Sequence, residues 1–480
     1  MNDAFLPSPA RGRGAGGEGL PRIAVVLAAG KGTRMRSALP KVLHEAAGRP
    51  LLAWVVDAAR AAGCSKILAV VGHGAEQVRE AIQGDDIEWV LQAEQRGTGH
   101  ALAQVEGQVD GAATLLVLSG DVPLLTPATL DRLAEEAEAG WGAMATAELD
   151  DPGSLGRVIT SDDGRFDRIV EARDATPDEL EVRRINAGLY ALPAPEIFEF
   201  LSRLTAHNAQ GELYLTDAVT DAARAGRPIR LVGLADPDEA LGVNTRAELA
   251  AIHRLLIDRH LSSLMEAGVT ILEPERTTIE PRVRIGADTV VHPGVALLGV
   301  TEVDAGCVLH QGAWIRDSRI GEGVTIEPYS VLDGADVGDG CRVGPFARLR
   351  PASRLLRKAR VGNFVEVKSS VLGEGTKVGH LAYVGDATVG DGANLGAGVV
   401  TCNYDGVRKN PTEIGRGAFI GSDTMLVAPV RVGEGAMTAA GSVITKNVPD
   451  GALAVGRVRQ KNLAGRSGGL RRKETSREEP

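Results

Sequence analysis

One segment near the amino terminus combines glycines with positive charge, which is what a phosphate-binding loop requires. It reads LAAGKGTRM from Leu27 to Met35, it contains Arg34, and Lys41 follows shortly after it. The segment is not a Walker A loop and lacks the third glycine of the dinucleotide-binding fingerprint. Exposed backbone N–H groups and two cations suit a triphosphate, and the alternative is a tight turn with surface charges. We predict a phosphate loop.

A carboxylate stands where a parallel sheet places its ligands. Asp121 follows the apolar run Leu115–Leu118, which predicts a buried strand. Ligands of parallel sheets bind at the carboxyl ends of the strands. By itself, an aspartate at this position is more often a turn residue, so the position alone leaves its role open.

A histidine in the second half of the chain is the candidate base. His380 stands near Arg350, Lys368, Tyr383 and Asn394 in a chain that returns to the same face about every 18 residues. Such a return stacks cations, which suit a phosphate, and a base that works near neutral pH on one face. The alternative is an ordinary surface histidine.

An insertion over residues 401–413 interrupts the regular pattern of this half. It carries the sequence NYDG at 403–406 and Lys409. Breaks in a repeat protein are often its functional loops. Cys402, next to this sequence, invites interpretation as a nucleophile, which we disfavour.

The first half must position the phosphate loop on an α/β sheet. Residues 23–246 alternate short apolar runs with helical patterns, beginning with a strand at Ile23–Leu27 and a helix at Leu51–Ala62. Such alternation predicts a Rossmann-like, mostly parallel sheet covered on both faces. A long helical pattern, Arg246–Ala267, then connects to the second half.

The second half repeats every six residues. Aliphatic residues recur in this register from Ile285 to Ile315, with further runs up to Val432, and glycine often follows the aliphatic residue. This period is the signature of a parallel β-helix of hexapeptide repeats, which winds left-handed, with aliphatic side chains inside and small residues at the corners. Ordinary antiparallel strands would instead alternate with a period of two.

Composition narrows the class of protein. The 480 residues include 60 glycines and only 3% aromatic residues, and the net charge of −10 argues against a nucleic-acid partner. The four cysteines are scattered, which fits a reducing, cytoplasmic location, and no apolar run is long enough for a membrane helix. Arginines before the run Ile23–Ala29 imitate a signal peptide, but a disordered tail followed by a first strand fits better.

These features together resemble one family. LAAGKGTRM and LPKVL are typical of sugar-nucleotide pyrophosphorylases, and the hexapeptide half specifies the GlmU family of bifunctional N-acetylglucosamine-1-phosphate uridylyltransferases and glucosamine-1-phosphate N-acetyltransferases. The resemblance covers residues 22–460. It rests also on the motifs QAEQRGTGHA (92–101), SGDVPLL (119–125), NAQGELYLTD (208–217), GVNTR (242–246), VGPFARLRP (343–351), VGNFVEVK (361–368), GHLAYVGDA (379–387) and NYDG (403–406).

For the first half, the resemblance implies a uridylyltransferase with Arg34 and Lys41 as catalytic cations and Asp121 and Asn244 as Mg²⁺ ligands. The implied nucleotide and sugar contacts are Leu27, Ala28, Ala29, Gly30, Lys41, Gln92, Gly97, Thr98, Ser119, Gly120, Asp121, Gly156, Glu171, Asn186 and Asn244. The chain departs from the family at Ser119, where some members have tyrosine, and at Ala187, where a hydroxyl is common. We expect these departures to affect sugar binding modestly.

For the second half, the resemblance implies an acetyltransferase with His380 as the base. The implied sugar-phosphate contacts are Arg350, Lys368, Tyr383 and Asn394. The implied acetyl-CoA contacts are Ala397, Asn403, Tyr404, Ser422, Ala440 and Arg457.

The predicted organisation is a disordered tail at residues 1–21, the uridylyltransferase domain at 22–246, a linker helix at 247–267, the β-helix at 268–460 and a second disordered tail at 461–480. The resemblance implies a homotrimer that uses UTP, acetyl-CoA and glucosamine-1-phosphate, without nucleic acid or membrane. One alternative is a monofunctional nucleotidylyltransferase whose β-helix only assembles the oligomer. A non-catalytic scaffold is the other.

Overall fold

The structure is a computed structural model that describes residues 20–206, 208 and 210–464. Most of the two predicted tails, residues 1–21 and 461–480, therefore lies outside the described residues. The chain divides into two compact units between Arg259 and His260. No helix in the described residues is long and apolar enough to cross a membrane.

The first unit is an α/β domain. Its strands are β1 (Arg22–Ala28), β2 (Glu45–Ala46), β3 (Arg49–Pro50), β4 (Lys66–Val71), β5 (Ile87–Leu91), β6 (Ala113–Ser119), β7 (Gly142–Glu148), β8 (Arg157–Thr160), β9 (Phe166–Val170), β10 (Arg184–Ala194) and β11 (Ile229–Gly233). Its α-helices are α1 (Leu51–Ala61), α2 (Ala75–Ala81), α3 (Thr98–Ala103), α4 (Pro127–Glu138), α5 (Pro177–Leu180), α6 (Glu196–Leu201) and α7 (Leu215–Arg224), and α8 (Arg246–Glu266) begins in this unit and ends in the second. Short 3₁₀ helices cover Thr33–Met35, Lys41–Leu43, Glu106–Gln108 and Pro237–Ala240.

The main sheet has the strand order β11-β7-β10-β6-β1-β4-β5. Strand β1 runs parallel to β4 and β6, and β10 runs antiparallel to β6 and β7. The run that imitates a signal peptide is thus a central strand. Along β6, Leu116 and Leu118 enter one core, and Leu115 and Val117 enter the core on the opposite face. Burial on both faces explains the continuous apolar strands that predicted this sheet.

Helix α8 covers nearly the whole predicted helical pattern. Its residue Arg259 donates to the carbonyl oxygen of Leu124 in the first unit. His260, the next residue, contacts the carbonyl oxygen of Val283 in the second unit. The division between the units therefore falls inside this helix.

The second unit is a parallel β-helix with three faces. The first face contains Thr270–Ile271, Val290–Val291, Val308–Leu309, Thr325–Ile326, Arg342–Val343, Arg360–Asn363, Lys377–His380, Asn394–Leu395, Phe419–Ile420, Met437–Thr438 and Leu453–Ala454. The second contains Thr278–Ile279, Ala296–Leu298, Trp314–Arg316, Val331–Asp333, Arg348–Leu349, Glu366–Lys368, Tyr383–Gly385, Val400–Cys402, Met425–Val427 and Val443–Ile444. The third contains Arg284–Ile285, Glu302–Val303, Arg319–Ile320, Asp336–Val337, Arg354–Leu355, Val371–Leu372, Ala387–Val389, Thr412–Ile414 and Val430–Val432.

The six-residue register fills the interior of the β-helix. Val291 stacks on Leu309, and Leu297 stacks on Ile315, with all four side chains buried. The insertion is accommodated between adjacent coils, because Val389 pairs directly with Ile414. The regular coils thus continue on both sides of the inserted loop.

Candidate active sites

A cavity of about 500 Å³ opens at the carboxyl ends of β1, β5 and β6. The predicted residues that line it are Leu27, Ala28, Ala29, Gly30, Lys41, Gln92, Gly97, Thr98, Ser119 and Asp121. Sequence analysis missed Lys31, Val42, Gln95, Ala101 and Glu212, which also line it. Lys31 lies in the quoted loop motif, and its positive charge could have identified it as a candidate phosphate contact. Gly120 was also predicted but does not line the cavity; its N–H donates to the carbonyl oxygen of Leu27, a residue that does, at 3.0 Å.

Lys41 reaches the cavity because Gly32 leaves room for its side chain. Gly32 has a φ of +57°, and a Cβ added there would lie 2.6 Å from the Cβ of Lys41. A side chain at position 32 would be strained by the backbone conformation and would also displace Lys41. The loop therefore requires glycine at position 32, because the side chain of Lys41 packs directly against that position.

The ammonium of Lys41 joins the two predicted metal ligands. Its Nζ lies 2.5 Å from Oδ2 of Asp121 and 3.1 Å from Oδ1 of Asn244. Two oxygens from distant parts of the chain thus converge on one cation. Carboxylate and amide oxygens are ligands that Mg²⁺ accepts, with substrate phosphates completing its shell. The residues present fit a divalent cation at this point.

The start of α8 fixes Asn244. The backbone N–H groups of Asn244 and Thr245 donate to Oε2 of Glu248 at 2.6 and 2.8 Å, and the N–H of Glu248 donates to Oγ1 of Thr245 at 3.2 Å. This is a capping box, which satisfies N–H groups that the helix leaves unpaired. The backbone of Asp121 accepts from the N–H of Val243 at 3.0 Å. The backbone at both predicted metal ligands, Asp121 and Asn244, is therefore held by hydrogen bonds.

Arg34 lies apart from this group. It is exposed on the 3₁₀ helix Thr33–Met35 and does not line the cavity. The structure therefore brings together Lys41, Asp121 and Asn244, but not Arg34.

The predicted uracil-reading residues form one wall of the cavity. The buried Gln92 donates from Nε2 to the carbonyl oxygen of Gly97 at 3.2 Å, and Oγ1 of Thr98 accepts from the N–H of Leu215 at 3.0 Å. Gly97 has a φ of +111°, and a Cβ there would lie 2.5 Å from the carbonyl oxygen of Leu213. The close approach of two chain segments requires glycine at this position.

The three predicted sugar residues also come together. A Cβ on Gly156 would lie 3.4 Å from Oε2 of Glu171, and the N–H of Asn186 donates to the carbonyl oxygen of Gly156 at 2.9 Å. Burial raises the pKa of Glu171, and the hydroxyl of Thr216 opposes this by hydrogen bonding. Tyr214, in the quoted motif 208–217, has a buried hydroxyl without a partner among the described residues, and burial together with the nearby Glu171 carboxylate raises its pKa.

A second cavity, of about 380 Å³, lies on the first face of the β-helix. His380, Asn394 and Ala397 line it, together with the small residues Gly362, Gly379 and Gly396. The Nδ1 of His380 lies 2.5 Å from Oδ1 of Asn363, which occupies the same position on the preceding coil. An amide oxygen only accepts, so Nδ1 carries a proton, and the neutral form of the ring then has its lone pair on Nε2. Sequence analysis missed Asn363, although it lies in the quoted motif 361–368.

The predicted cations gather beside the second face. Nζ of Lys368 lies 3.1 Å from both carboxylate oxygens of Asp386, and Arg350 donates to Glu366 at 3.0 Å. The Lys368 ammonium lowers the pKa of Lys409, on the inserted loop, and Arg350 adds to that effect. These three cations suit a phosphate dianion. Lys409 was noted in the sequence but not assigned to the site.

The side chain of Asn403 joins this cationic group. It donates to Oδ2 of Asp386 at 2.5 Å and to the hydroxyl of Tyr383 at 3.4 Å. Tyr404, the next residue, is exposed on the inserted loop. Burial raises the pKa of the neighbouring Cys402 thiol, which argues against a thiolate nucleophile there.

The remaining residues that were predicted to contact acetyl-CoA lie on successive coils along one corner. The carbonyl oxygen of Ala397 accepts from the N–H of Asp423 at 2.7 Å, and that of Ser422 accepts from Gly441 at 2.8 Å. The guanidinium of Arg457 donates to the carbonyl oxygen of Ala440 at 3.0 Å. Ala397, Ser422, Ala440 and Arg457 thus form a ladder that leads away from the His380 cavity.

Comparison with known proteins covers both units. Residues 24–270 match the MobA-like NTP transferase domain, and residues 317–351 and 411–446 match the bacterial transferase hexapeptide repeats. These matches agree with the α/β nucleotidyltransferase domain and with the left-handed parallel β-helix.

Curated relatives match nearly the full length. The bifunctional protein GlmU of Syntrophotalea carbinolica is 48% identical over 92% of this chain and 96% of its own length. That of Heliobacterium modesticaldum is 48% identical over 93% and 98%, and that of Pelobacter propionicus is 46% identical over 92% and 97%. The chain therefore belongs to the GlmU family of bifunctional enzymes, which combine a nucleotidyltransferase with a hexapeptide acetyltransferase.

Proposed function

We propose that this enzyme acetylates glucosamine-1-phosphate with acetyl-CoA and then transfers a uridylyl group from UTP to the product, which gives UDP-N-acetylglucosamine and pyrophosphate. The observation that carries the proposal is the pair of separate cavities, each lined by the side chains that one of these reactions needs. The first presents Lys41 and Asp121, and the second presents His380.

In acetyl transfer, Nε2 of His380 accepts a proton from the amine as its nitrogen attacks the thioester carbonyl. The amide bond forms, the carbon–sulfur bond breaks, and the CoA thiolate leaves. Asn363 holds the imidazole in the tautomer that can accept this proton. Arg350, Lys368 and Lys409 bind the phosphate, so the amine is presented in a fixed position.

In uridylyl transfer, an oxygen of the sugar phosphate attacks the α-phosphorus of UTP, and the bond to pyrophosphate breaks. The nucleophile is already anionic, so no side-chain base is required. Lys41 neutralises phosphate charge, while Gln92 and Gly97 bind the uracil, and Glu171 and Asn186 hold the acetylated sugar. A divalent cation, which we propose to be Mg²⁺ on Asp121 and Asn244, supplies further charge neutralisation when bound.

Nζ of Lys41 contacts both Asp121 and Asn244, the residues that would hold a divalent cation. Its flexible stem would also let the ammonium reach the phosphates of a bound nucleotide. We assign Arg34 to the phosphates as well, since Gly30 and Lys31 of the same loop line the cavity.

The monofunctional alternative accounts for less of the chain. It assigns no function to the hydrogen bond between His380 and Asn363. It also assigns none to the group of three cations, Arg350, Lys368 and Lys409. For the assembly we propose a homotrimer, because hexapeptide prisms present flat sides to neighbouring copies. The four cysteines are free thiols, which fits the cytoplasm.

Product analysis by chromatography tests the proposal. Purified protein given glucosamine-1-phosphate, acetyl-CoA, UTP and Mg²⁺ should form UDP-N-acetylglucosamine. Omission of acetyl-CoA should stop product formation, and supplied N-acetylglucosamine-1-phosphate should restore it. Failure of the acetylated sugar phosphate to restore the product would contradict the proposed order.

A further inference from the structure

A buried histidine lies directly behind the turn that carries Lys41. His44 is 4% exposed, and its backbone N–H donates to the carbonyl oxygen of Lys41 at 3.2 Å. Its carbonyl oxygen accepts from the N–H of Leu51, at the start of α1, at 3.0 Å. The backbone of His44 therefore ties the Lys41 turn to the helix that follows it.

The ring of His44 makes a second connection, to the start of α8. Its Nδ1 lies 3.1 Å from a guanidinium nitrogen of Arg246. Because guanidinium only donates, Nδ1 is the acceptor and carries no proton. Burial lowers the pKa of His44, and the charge of Arg246 lowers it further, so the ring is neutral.

The other ring nitrogen has no such contact. Nε2 of His44 is buried and makes no close hydrogen bond within the described part of the chain, although the backbone of Leu39 interacts with the ring and partly offsets the lowering of its pKa. An unpaired buried N–H is costly, and an apolar ring of the same size would avoid that cost. The contact of Nδ1 with Arg246 is therefore the feature that distinguishes histidine from an apolar residue here.

The contact between His44 and Arg246 links the turn that carries Lys41 to the segment that carries Asn244. Arg246 follows Asn244 by two residues, on backbone held by the capping box of Glu248. His44 follows Lys41 by three residues, and Nζ of Lys41 contacts Asn244 directly. We infer that His44 is a positioning residue for uridylyl transfer, which acts through Arg246 to fix the Lys41 turn relative to Asn244. The inference rests on the proposed function of this site.

Two replacements of His44 separate this role from simple packing. His44→Phe keeps the ring volume and removes the acceptor, whereas His44→Asn loses volume and offers its side-chain oxygen to Arg246. The account predicts that His44→Phe lowers kcat for uridylyl transfer roughly 10- to 100-fold, the usual cost of misplacing reacting groups. It predicts that His44→Asn retains most of the activity. A packing role predicts the opposite ranking, which would overturn the inference.

A readout without turnover accompanies the kinetics. UTP affinity, measured by calorimetry in EDTA, should weaken in His44→Phe and remain near the parental value in His44→Asn, because only the former frees the Lys41 turn. Equal affinity in all three proteins would overturn the inference. Circular dichroism and thermal unfolding of both variants should match the parent, which shows that the first unit is folded, and acetyl transfer, which belongs to the second unit, should be unchanged.

Arg246→Met provides a test that does not disturb the core, since Arg246 is exposed. It should lose as much uridylyl transfer as His44→Phe, and the double variant should lose little more, because the two residues act as one unit. Additive losses would contradict the inference. The matched control is Arg227→Met, an exposed arginine before the edge strand β11, which should behave like the parent. A parent without any uridylyl transfer would instead refute the proposed function.

Discussion

At the scale of single residues, both sites depend on side chains that orient other side chains. Asn363 selects the tautomer of His380, and Gly32 clears the path of Lys41. Neither residue has chemistry of its own in the reaction. Their effect is to place a proton acceptor or a charge where the substrate needs it, and preorganisation of this kind governs rate.

We expect Asn363→Ala to lower kcat for acetyl transfer roughly 10- to 100-fold, a part of the contribution of a general base. The reason is that Nδ1 of His380 loses the acceptor that holds its proton. Asn363→Asp retains an acceptor and should keep most of the activity. Steady-state kinetics check both variants, and a raised KM with an unchanged kcat would indicate substrate binding instead.

At the scale of elements, the corners of the β-helix differ from the simplest expectation. Small residues were predicted there, but Tyr329, Phe346 and Phe364 also adopt positive φ at successive corners. Their rings stack, with centroids 5.5 Å apart in each adjacent pair. A corner side chain points outward, so a large ring meets no core, and stacking on the next coil offsets the strain of a left-handed backbone.

The phosphate loop offers a test at the same scale. Gly32→Ala should reduce uridylyl transfer by roughly 10- to 100-fold and leave acetyl transfer unchanged, because the new Cβ would displace Lys41. Gly107→Ala is the matched control, since a Cβ there meets nothing within 4 Å. Equal rates of nucleotide formation in the two variants, measured by pyrophosphate release, would show that the position of Lys41 is not critical.

The fold was predictable from the sequence because its signals are local. A six-residue period determines which side chains face the interior, and residues such as Val361 and Val367 are indeed buried. Glycine after an aliphatic residue is also explained, since a Cβ on Gly362 would lie 1.8 Å from the carbonyl oxygen of Gly379. The antiparallel course of β10 between β6 and β7 was not predicted, because strand direction depends on connections that the apolar pattern does not encode.

The sequence predicted which residues belong to the candidate sites but not how they are arranged in space. Motifs named Lys41, Asp121 and Asn244, but their convergence joins positions far apart in the chain, and spacing gives no distance between them. His44 and Asn363 were missed because a buried histidine and a strand asparagine have no chemical signature until their partners are known. Their contacts come from packing, which a single sequence does not report.

At the scale of the whole molecule, one chain carries two catalytic sites in two compact units. Within this chain, the predicted residues of the first site lie around the sheet of β1 and β6, and those of the second lie on the coils of the β-helix. The central claim is therefore that the two reactions can be removed one at a time.

Parallel assays of two variants test that claim most directly. His380→Ala should abolish acetyl transfer and leave uridylyl transfer at the parental rate, because only the second unit loses its proton acceptor. Asp121→Ala should do the reverse, since only the first unit loses its cation ligand. If either substitution abolished both reactions in a folded protein, or if His380→Ala retained full acetyl transfer, the account of two separate sites would be contradicted.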